Sequence, residues 1–223
     1  MSERTFKTFS ELFIILNLES HKSYLDKIPS YLESEKEKLE DEIQVRVMNM
    51  TSEEADLYYQ YNFEEQMYLF DNYNQTFCES FYISLFSFLE KELFKICKKL
   101  ESKNTHKIKV KHLAGNGIEK YSLFLSSLYD FEISQFNAWN EIKKHQKIRN
   151  YIVHNDGNYI DARNPLYQAA SSLGCISKIT RDIHASELFE INILGGTCSR
   201  LINCIEDFFD ELFTKALELE VKI

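Results

Sequence analysis

The sequence predicts an all-α protein, and three features favour this class. Only six of its 223 residues are glycine and two are proline, so few positions interrupt helices. Several long segments place apolar residues at helical spacing. The hydrophobic content of 44% is sufficient for one large core. We therefore expect a helical bundle with an N-terminal helical extension and room for one short strand pair.

The first seventy residues predict helices with acidic and polar surfaces. Residues 30–33, SYLE, follow Pro29 at capping-box spacing and predict a helix start. Residues 51–54, TSEE, predict a second start, which opens a helix rich in tyrosine and phenylalanine that runs to about Phe70. Because these aromatic residues stand among acids, we interpret them as core or interface rather than as a surface on which bases stack.

The strongest helical pattern runs from Asn72 to about Lys103. Its apolar stripe contains Phe77, Phe81, Leu85, Phe88, Leu89, Leu93, Ile96 and Leu100. Gly115 and Gly117 then permit the positive φ of a tight turn between helices. No GK[ST] sequence and no third glycine follow, so we set aside a phosphate loop. A short helix is expected from Ile118 to about Tyr129.

Ser134 is the expected N-cap of the next helix. The core face of this helix is predicted to contain Phe136, Trp139, Ile142, Ile148 and Ile152, with Lys143, Lys144 and Lys147 facing outward. Residues 155–158, NDGN, are expected to end it, with Gly157 in the left-handed conformation. The helix thus carries Arg149, Asn150 and His154 near its C-terminal end.

Residues 158–195 have the least clear pattern of the chain, and their short alternating runs, such as residues 188–193, leave room for one short strand pair. Two glycines at residues 195–196 precede a final amphipathic helix. Its apolar stripe contains Leu201, Ile205, Phe208, Leu212 and Leu219. The simplest division of the chain is an N-terminal helical extension of residues 1–70 and a helical domain of residues 71–223.

The net charge of −9 is distributed very unevenly. Residues 1–90 contain 7 basic and 18 acidic side chains, residues 91–149 contain 13 and 6, and residues 150–223 contain 6 and 11. The three net charges are therefore −11, +7 and −5. A basic segment that ends at Arg149 is what phosphate binding requires, although lysines that only solvate helix faces give the same count.

Several classes of protein are disfavoured by the sequence. The longest early apolar run, residues 12–16, is too short to span a bilayer and lacks the flanks of a secretory signal. Five cysteines without metal-type spacing indicate reduced thiols and a cytoplasmic protein. No histidine belongs to an HExxH motif or pairs with a cysteine at ligand spacing, so we expect no metal and no cofactor.

Arg149 and His154 are the strongest candidates for chemistry. A guanidinium matches phosphate geometry, and a histidine gives or takes a proton near neutral pH, so the pair suits phosphodiester cleavage. On a helix Asn150 and His154 share one face, whereas Arg149 and His154 lie about 140° apart. One histidine does not easily serve as both acid and base. A second copy would supply another, so we predict a homodimer.

The sequence Arg149-Asn150-x-x-x-His154 resembles the R-N-x-x-x-H signature of HEPN domains. The resemblance covers roughly residues 70–220: the long helix around residues 87–93, the turn at residues 113–118, the Trp139 helix, the motif and the final helix. It implies an α-helical bundle that dimerises around a shared cleft. It also implies a metal-independent endoribonuclease that acts as a toxin or antiphage effector.

By this resemblance Arg149 and His154 are catalytic, and Asn150 orients them. RNA is the expected substrate, bound with the help of Lys143, Lys144 and Lys147, and an antitoxin or defence-system protein is the expected partner. In HEPN toxins silenced by nucleotide addition, a tyrosine follows the histidine by two residues. That position is Asp156 here, so we do not expect this control. The alternative is a non-catalytic HEPN-like module for dimerisation or nucleotide binding.

Overall fold

The computed structural model describes residues 7–103, 108–154, 159–179 and 187–223, apart from the side chains of residues 62 and 71. The helices in these ranges are α1 (Phe9–Val47), α2 (Ser52–Tyr58), α3 (Glu64–Lys103), α4 (Gly117–Tyr129), α5 (Asn137–His154), α6 (Tyr167–Leu173) and α7 (Gly195–Glu218). The strands are β1 (Tyr159–Asp161), β2 (Ile176–Ile179) and β3 (Leu188–Ile191). The prediction of a mainly α-helical fold is confirmed.

The core forms where α3 and α7 cross between the other long helices. Helix α7 packs against α1, α3 and α5, and α4 covers another side of α3. Four residues of the predicted stripe of α7, Leu201, Ile205, Phe208 and Leu212, are inaccessible to solvent, whereas the fifth, Leu219, follows the helix and is half-buried. The predicted stripe of α3 lies in the same core, with Leu85, Leu89 and Leu93 at its centre.

Helix α1 does not begin or break near Pro29, and this corrects the expected start at residues 30–33. The helix is continuous from Phe9 to Val47 with Pro29 inside it. The hydroxyl of Ser30 donates to the carbonyl of Asp26, so it does not cap a new helix. Packing compensates for the proline, because Leu18 and Leu25 before it and Ile43 after it are buried.

The predicted capping box at residues 51–54 is confirmed. The Thr51 hydroxyl accepts from the Glu54 backbone, and the Glu54 carboxylate accepts from the Thr51 N–H at 2.9 Å. The helix that starts here continues through a π-helical turn (Tyr59–Phe63) directly into α3. Helical structure therefore begins well before Asn72, the expected start of the long helix.

The glycine turn between α3 and α4 also has the predicted conformation. Gly115 and Gly117 have φ angles of 91° and 54°. Gly117 is the first residue of α4, and a Cβ built on it would lie 2.5 Å from Oε1 of Glu90 on α3. The turn therefore favours glycine here for its backbone angle, and a Cβ would in addition displace the Glu90 carboxylate.

The chain between α5 and α7 forms two antiparallel strand pairs rather than the one that we expected. The strand order is β1-β3-β2, with Ile160 opposite Phe189 and Ile176 opposite Ile191. Ile160, Phe189 and Ile191 are buried, so one face of the sheet packs on the helices. The third strand was missed because β1 and β2 have only three and four residues and little alternation.

The first half of α1 packs into the same core as the rest of the chain. Ile14, Ile15 and Leu18 are buried there. The expected boundary at residue 70 falls inside α3, which is continuous from Glu64 to Lys103. The division into residues 1–70 and 71–223 stays a prediction. All five cysteines are free and buried. No described helix is long and apolar enough to cross a membrane.

We expect Gly117→Ala to destabilise the fold by about 1 to 3 kcal/mol, because alanine is strained at this φ and its methyl group collides with Glu90. Gly196→Ala in the first turn of α7 is the matched control, since a Cβ there meets nothing within 4 Å. Urea unfolding monitored by circular dichroism measures both. Equal stability of the two variants would contradict the proposed constraint.

Candidate functional site

Helix α5 presents the RNxxxH motif, and its N-terminus is anchored by a carboxylate from α7. Glu211 accepts from the backbone N–H groups of Asn137 and Ala138 at 2.9 and 3.1 Å. Such a charge satisfies free donors and complements the helix dipole. The predicted Ser134 N-cap is wrong, because residues Ile133–Gln135 form a separate 3₁₀ turn and α5 begins at Asn137.

The middle of α5 is held by a polar contact inside the core. Tyr82 on α3 and His145 on α5 are both fully buried. The tyrosine Oη lies 2.8 Å from Nδ1 of His145 and 3.2 Å from its carbonyl oxygen. Two contacts from one hydroxyl, to a side chain and to the backbone of the same residue, fix both the height and the rotation of α5.

The other ring nitrogen of His145, Nε2, is buried without a hydrogen-bond partner in the described part of the chain. It lies 3.9 Å from Oε1 of Glu141, which is ion-paired with Arg200 on α7 at 2.5 Å. Burial lowers the pKa of His145 to about 4, against an opposing effect of Glu141 and with a smaller lowering by Arg200 and Lys144. The ring is therefore neutral near pH 7.

The rotation of α5 set by His145 determines where each motif residue lies. Arg149 follows His145 by four residues, which is a rotation of about 40° around the helix axis. It therefore lies at the edge of the buried face of α5. Its side chain is half-buried. Its Nη1 donates to Oδ1 of Asn150 at 3.1 Å, and its Nε is buried without a partner among the described residues. Asn150 itself is exposed.

His154 is the last residue of α5 and lies on the opposite side of the helix from His145. Its side chain is exposed. No hydrogen bond or ion pair joins it to Arg149 within the described residues. Thus the structure brings Arg149 and Asn150 together but leaves His154 apart, as the predicted separation of about 140° requires. The expected helix end at residues 155–158, with Gly157 and Asp156, lies outside the described residues.

The three lysines predicted to bind RNA differ in exposure. Lys147 is exposed, whereas Lys143 and Lys144 are half-buried. Lys143 forms an ion pair with Glu119 on α4, and its Nζ lies 5.9 Å from the centre of the Trp139 ring. Burial and the neighbouring Lys147 lower the pKa of Lys143. Lys143 therefore also joins α5 to α4. Of the three lysines, Lys147 is the most accessible to a ligand.

Exposed apolar side chains lie on the last turn of α5 and on the outer face of the sheet to which α5 is hydrogen-bonded. Val153 precedes His154 and is 42% exposed, and Tyr159 and Leu188 on the outer face of the sheet are 55% and 40% exposed. The hydroxyl of Tyr151 donates to the carbonyl of Tyr159 at 2.9 Å and so ties α5 to β1. These three exposed side chains give the region around His154 an apolar surface that a second chain could cover.

The sequence interpretation missed the polar contacts that position the motif. His145 falls at the spacing of Trp139, Ile142 and Ile148, so the apolar stripe itself indicated that this histidine is buried. Its partner Tyr82 and the anchor Glu211 come from helices distant in sequence. No local pattern pairs them with α5.

No protein-family model, curated protein or solved structure matches this chain. Within the described residues, no group of three or more His, Cys, Asp or Glu side chains is arranged to hold a metal ion. The functional interpretation therefore depends on the RNxxxH residues, their surroundings and the resemblance that they carry.

We expect the free energy of unfolding to decrease as the pH falls from about 6 to about 4, by up to about 1.4 kcal/mol per pH unit. The unfolded chain protonates His145 near 6.5, whereas the folded chain does so only near 4, so protons favour unfolding in this interval. Urea unfolding at a series of pH values measures the slope.

His145→Asn retains a polar atom near Tyr82 but removes the titration. Its slope should be shallower than that of the wild type between pH 4 and 6, whatever its absolute stability. Parallel curves for the two proteins would show that His145 does not titrate as its burial requires.

Proposed function

We propose that this protein is a metal-independent endoribonuclease of the HEPN type, with Arg149, Asn150 and His154 in its active site. The observation that carries the proposal is the state of Arg149. Its guanidinium is half-buried and braced by Asn150, and its Nε has no partner among the described residues. A planar guanidinium matches two phosphate oxygens with a pair of N–H donors, which makes phosphate a suitable ligand for the remaining donors of Arg149.

RNA cleavage by this site needs no group beyond the chain and its substrate. The 2′-oxygen attacks the adjacent phosphorus as a base takes the 2′ proton, and the bond from phosphorus to the 5′-oxygen breaks as an acid protonates that oxygen. Arg149 stabilises the negative charge that accumulates on the phosphoryl oxygens. The exposed imidazole of His154 is the proton donor or acceptor.

A homodimer supplies the second imidazole that this reaction uses. The surface around His154 supports such a dimer, because Val153, Tyr159 and Leu188 are apolar and exposed. A twofold axis near the end of α5 would place two copies of the motif in one cleft. Within this proposal one histidine acts as the base and its symmetry mate as the acid.

The basic segment that ends at Arg149 supports RNA as the substrate. Lys147, one helical turn from Lys143 and Lys144, extends the positive charge along α5 toward the guanidinium. Because cations attract the backbone of any nucleic acid, they favour binding without determining a sequence. The 2′-hydroxyl required for the reaction selects RNA over DNA. We further propose that the protein cleaves RNA in the cytoplasm as a toxin or antiphage effector, and that a partner protein controls this activity.

We expect purified protein to cleave total RNA in EDTA, and Arg149→Ala and His154→Ala each to reduce the rate by at least about a hundredfold. Arg46→Ala and His112→Ala change the same residue types at exposed positions on other elements than α5 and should retain wild-type activity. Gel electrophoresis of labelled RNA follows cleavage. Wild-type protein without activity, or full activity in both motif variants, would favour the non-catalytic module.

A composite site also predicts how activity depends on mixing of chains. When wild-type and His154→Ala chains are co-expressed equally and assort at random, about a quarter of the dimers contain two intact chains. The specific activity of the mixture should therefore be about a quarter of that of the wild-type protein. If each chain had its own independent site, the specific activity would be about a half. Light scattering should give twice the chain mass of 26.4 kDa. A monomeric, fully active enzyme would refute the composite site.

A further inference from the structure

Residues 30–77 form an acidic helical arm, made from the second half of α1, α2 and the first part of α3. The arm contains 12 acidic and 3 basic residues, a net charge of −9. Residues 47–90 contain no lysine, arginine or histidine. Among the side chains described between residues 44 and 77, none is buried. The arm therefore exposes much apolar surface that a covering partner would stabilise.

A groove of about 390 Å³ runs between α1 and α3 in the arm. One wall is a stripe of α1 and the other is a stripe of α3, each at positions i, i+3, i+4 and i+7. The lining consists of Glu35, Lys38, Leu39 and Glu42 on α1 and Gln66, Leu69, Phe70 and Tyr73 on α3, so its two carboxylates outnumber its one ammonium group. Such a groove has the shape that a third helix fills in a bundle.

Gln66 lines the groove, but its Oε1 does not face the open space. That oxygen makes no hydrogen bond within the described part of the chain and is inaccessible to solvent, so it is not an acceptor for a bound molecule in this conformation. Leu69 and Tyr73 are 41% and 52% exposed, which leaves an apolar floor in the groove.

The carboxylates of the groove specify the charge of the occupant. Glu35 and Glu42 lie two helical turns apart, about 10.5 Å along the axis, on the same face of α1. Glu35 pairs with Lys38 on its own helix, at an exposed site where such a pair is readily exchanged. We propose that the arm groove binds a basic amphipathic helix of a partner protein, with apolar side chains on Leu69 and Tyr73 and cations on Glu35 and Glu42.

Charge also favours a basic helix over two other ligands for the groove, which are a nucleic acid and a second copy of the chain. Nucleic acid is repelled by the uninterrupted acidic charge of residues 47–90. A second copy that pairs arm to arm is disfavoured, because both arms have a net charge of −9. A separate basic helix brings the opposite charge. This inference does not depend on the proposed ribonuclease activity.

The test uses a fluorescent peptide of about three heptads, with leucine at a and d and lysine at e and g. A benzophenone at one position allows photo-crosslinking to the full-length protein, and mass spectrometry locates the crosslinks. We expect saturable binding, with crosslinks in residues 35–42 and 66–73. A peptide with glutamate in place of lysine should not bind.

Two pairs of matched variants separate the groove from general acidity. Glu35→Gln/Glu42→Gln should weaken binding by about tenfold or more, whereas Glu33→Gln/Glu37→Gln, which removes the same charge from exposed positions on α1, should change it by less than about twofold. Leu69→Gln should weaken binding, and Leu57→Gln, at an exposed leucine of α2 that does not line the groove, should not. Circular dichroism checks that all variants are folded.

Three results would overturn the proposal. The first is equal weakening by the two charge variants, and the second is crosslinking mainly to the acidic surface of α7 at Asp207, Asp210 and Glu211. The third is a homodimer, measured without peptide, that Glu35→Gln/Glu42→Gln dissociates, since the occupant would then be a second copy. RNA cleavage by this double variant should equal that of the wild type. Failure of the groove and failure of the ribonuclease proposal are therefore distinguishable.

Discussion

The hydrogen bonding of Tyr82 to His145 is the contact on which the geometry of the candidate site depends. It joins α3 to α5 inside the core and determines which side of α5 faces inward. Arg149 then lies at the edge of the core, while His154 points outward. A buried, neutral histidine at this place is costly unless its ring nitrogens find partners, so one tyrosine hydroxyl does much to keep α5 in a single orientation.

How far the sequence predicts this protein depends on the range of the contacts involved. Several local patterns, in which the interacting residues lie within a few positions of one another, were predicted correctly. These are the apolar stripes of α3 and α7, the capping box at Thr51 and the glycine turn. The continuity of α1 through Pro29 depends on distant packing partners, which outweigh a local helix breaker. The Glu211 anchor of α5 and the third strand likewise require the tertiary fold.

The same distinction applies within the site. Residue types and helical angles predicted that Arg149 and His154 lie apart, and the structure has them so. What spacing alone does not predict is that the Arg149 side chain is half-buried and donates to Asn150. Lys143 is a further example, since a lysine expected to face solvent is half-buried against Glu119 and Trp139.

Because α3 is long, its local stability differs along its length. Its forty residues extend about 60 Å, from the exposed arm to the centre of the core. The free energy of local opening therefore differs along the helix. The part in the core opens only when the protein unfolds. The part in the arm has no buried side chain described before Cys78, so it opens by local fraying. Backbone amides along one uninterrupted helix should thus exchange with solvent at rates that differ by orders of magnitude.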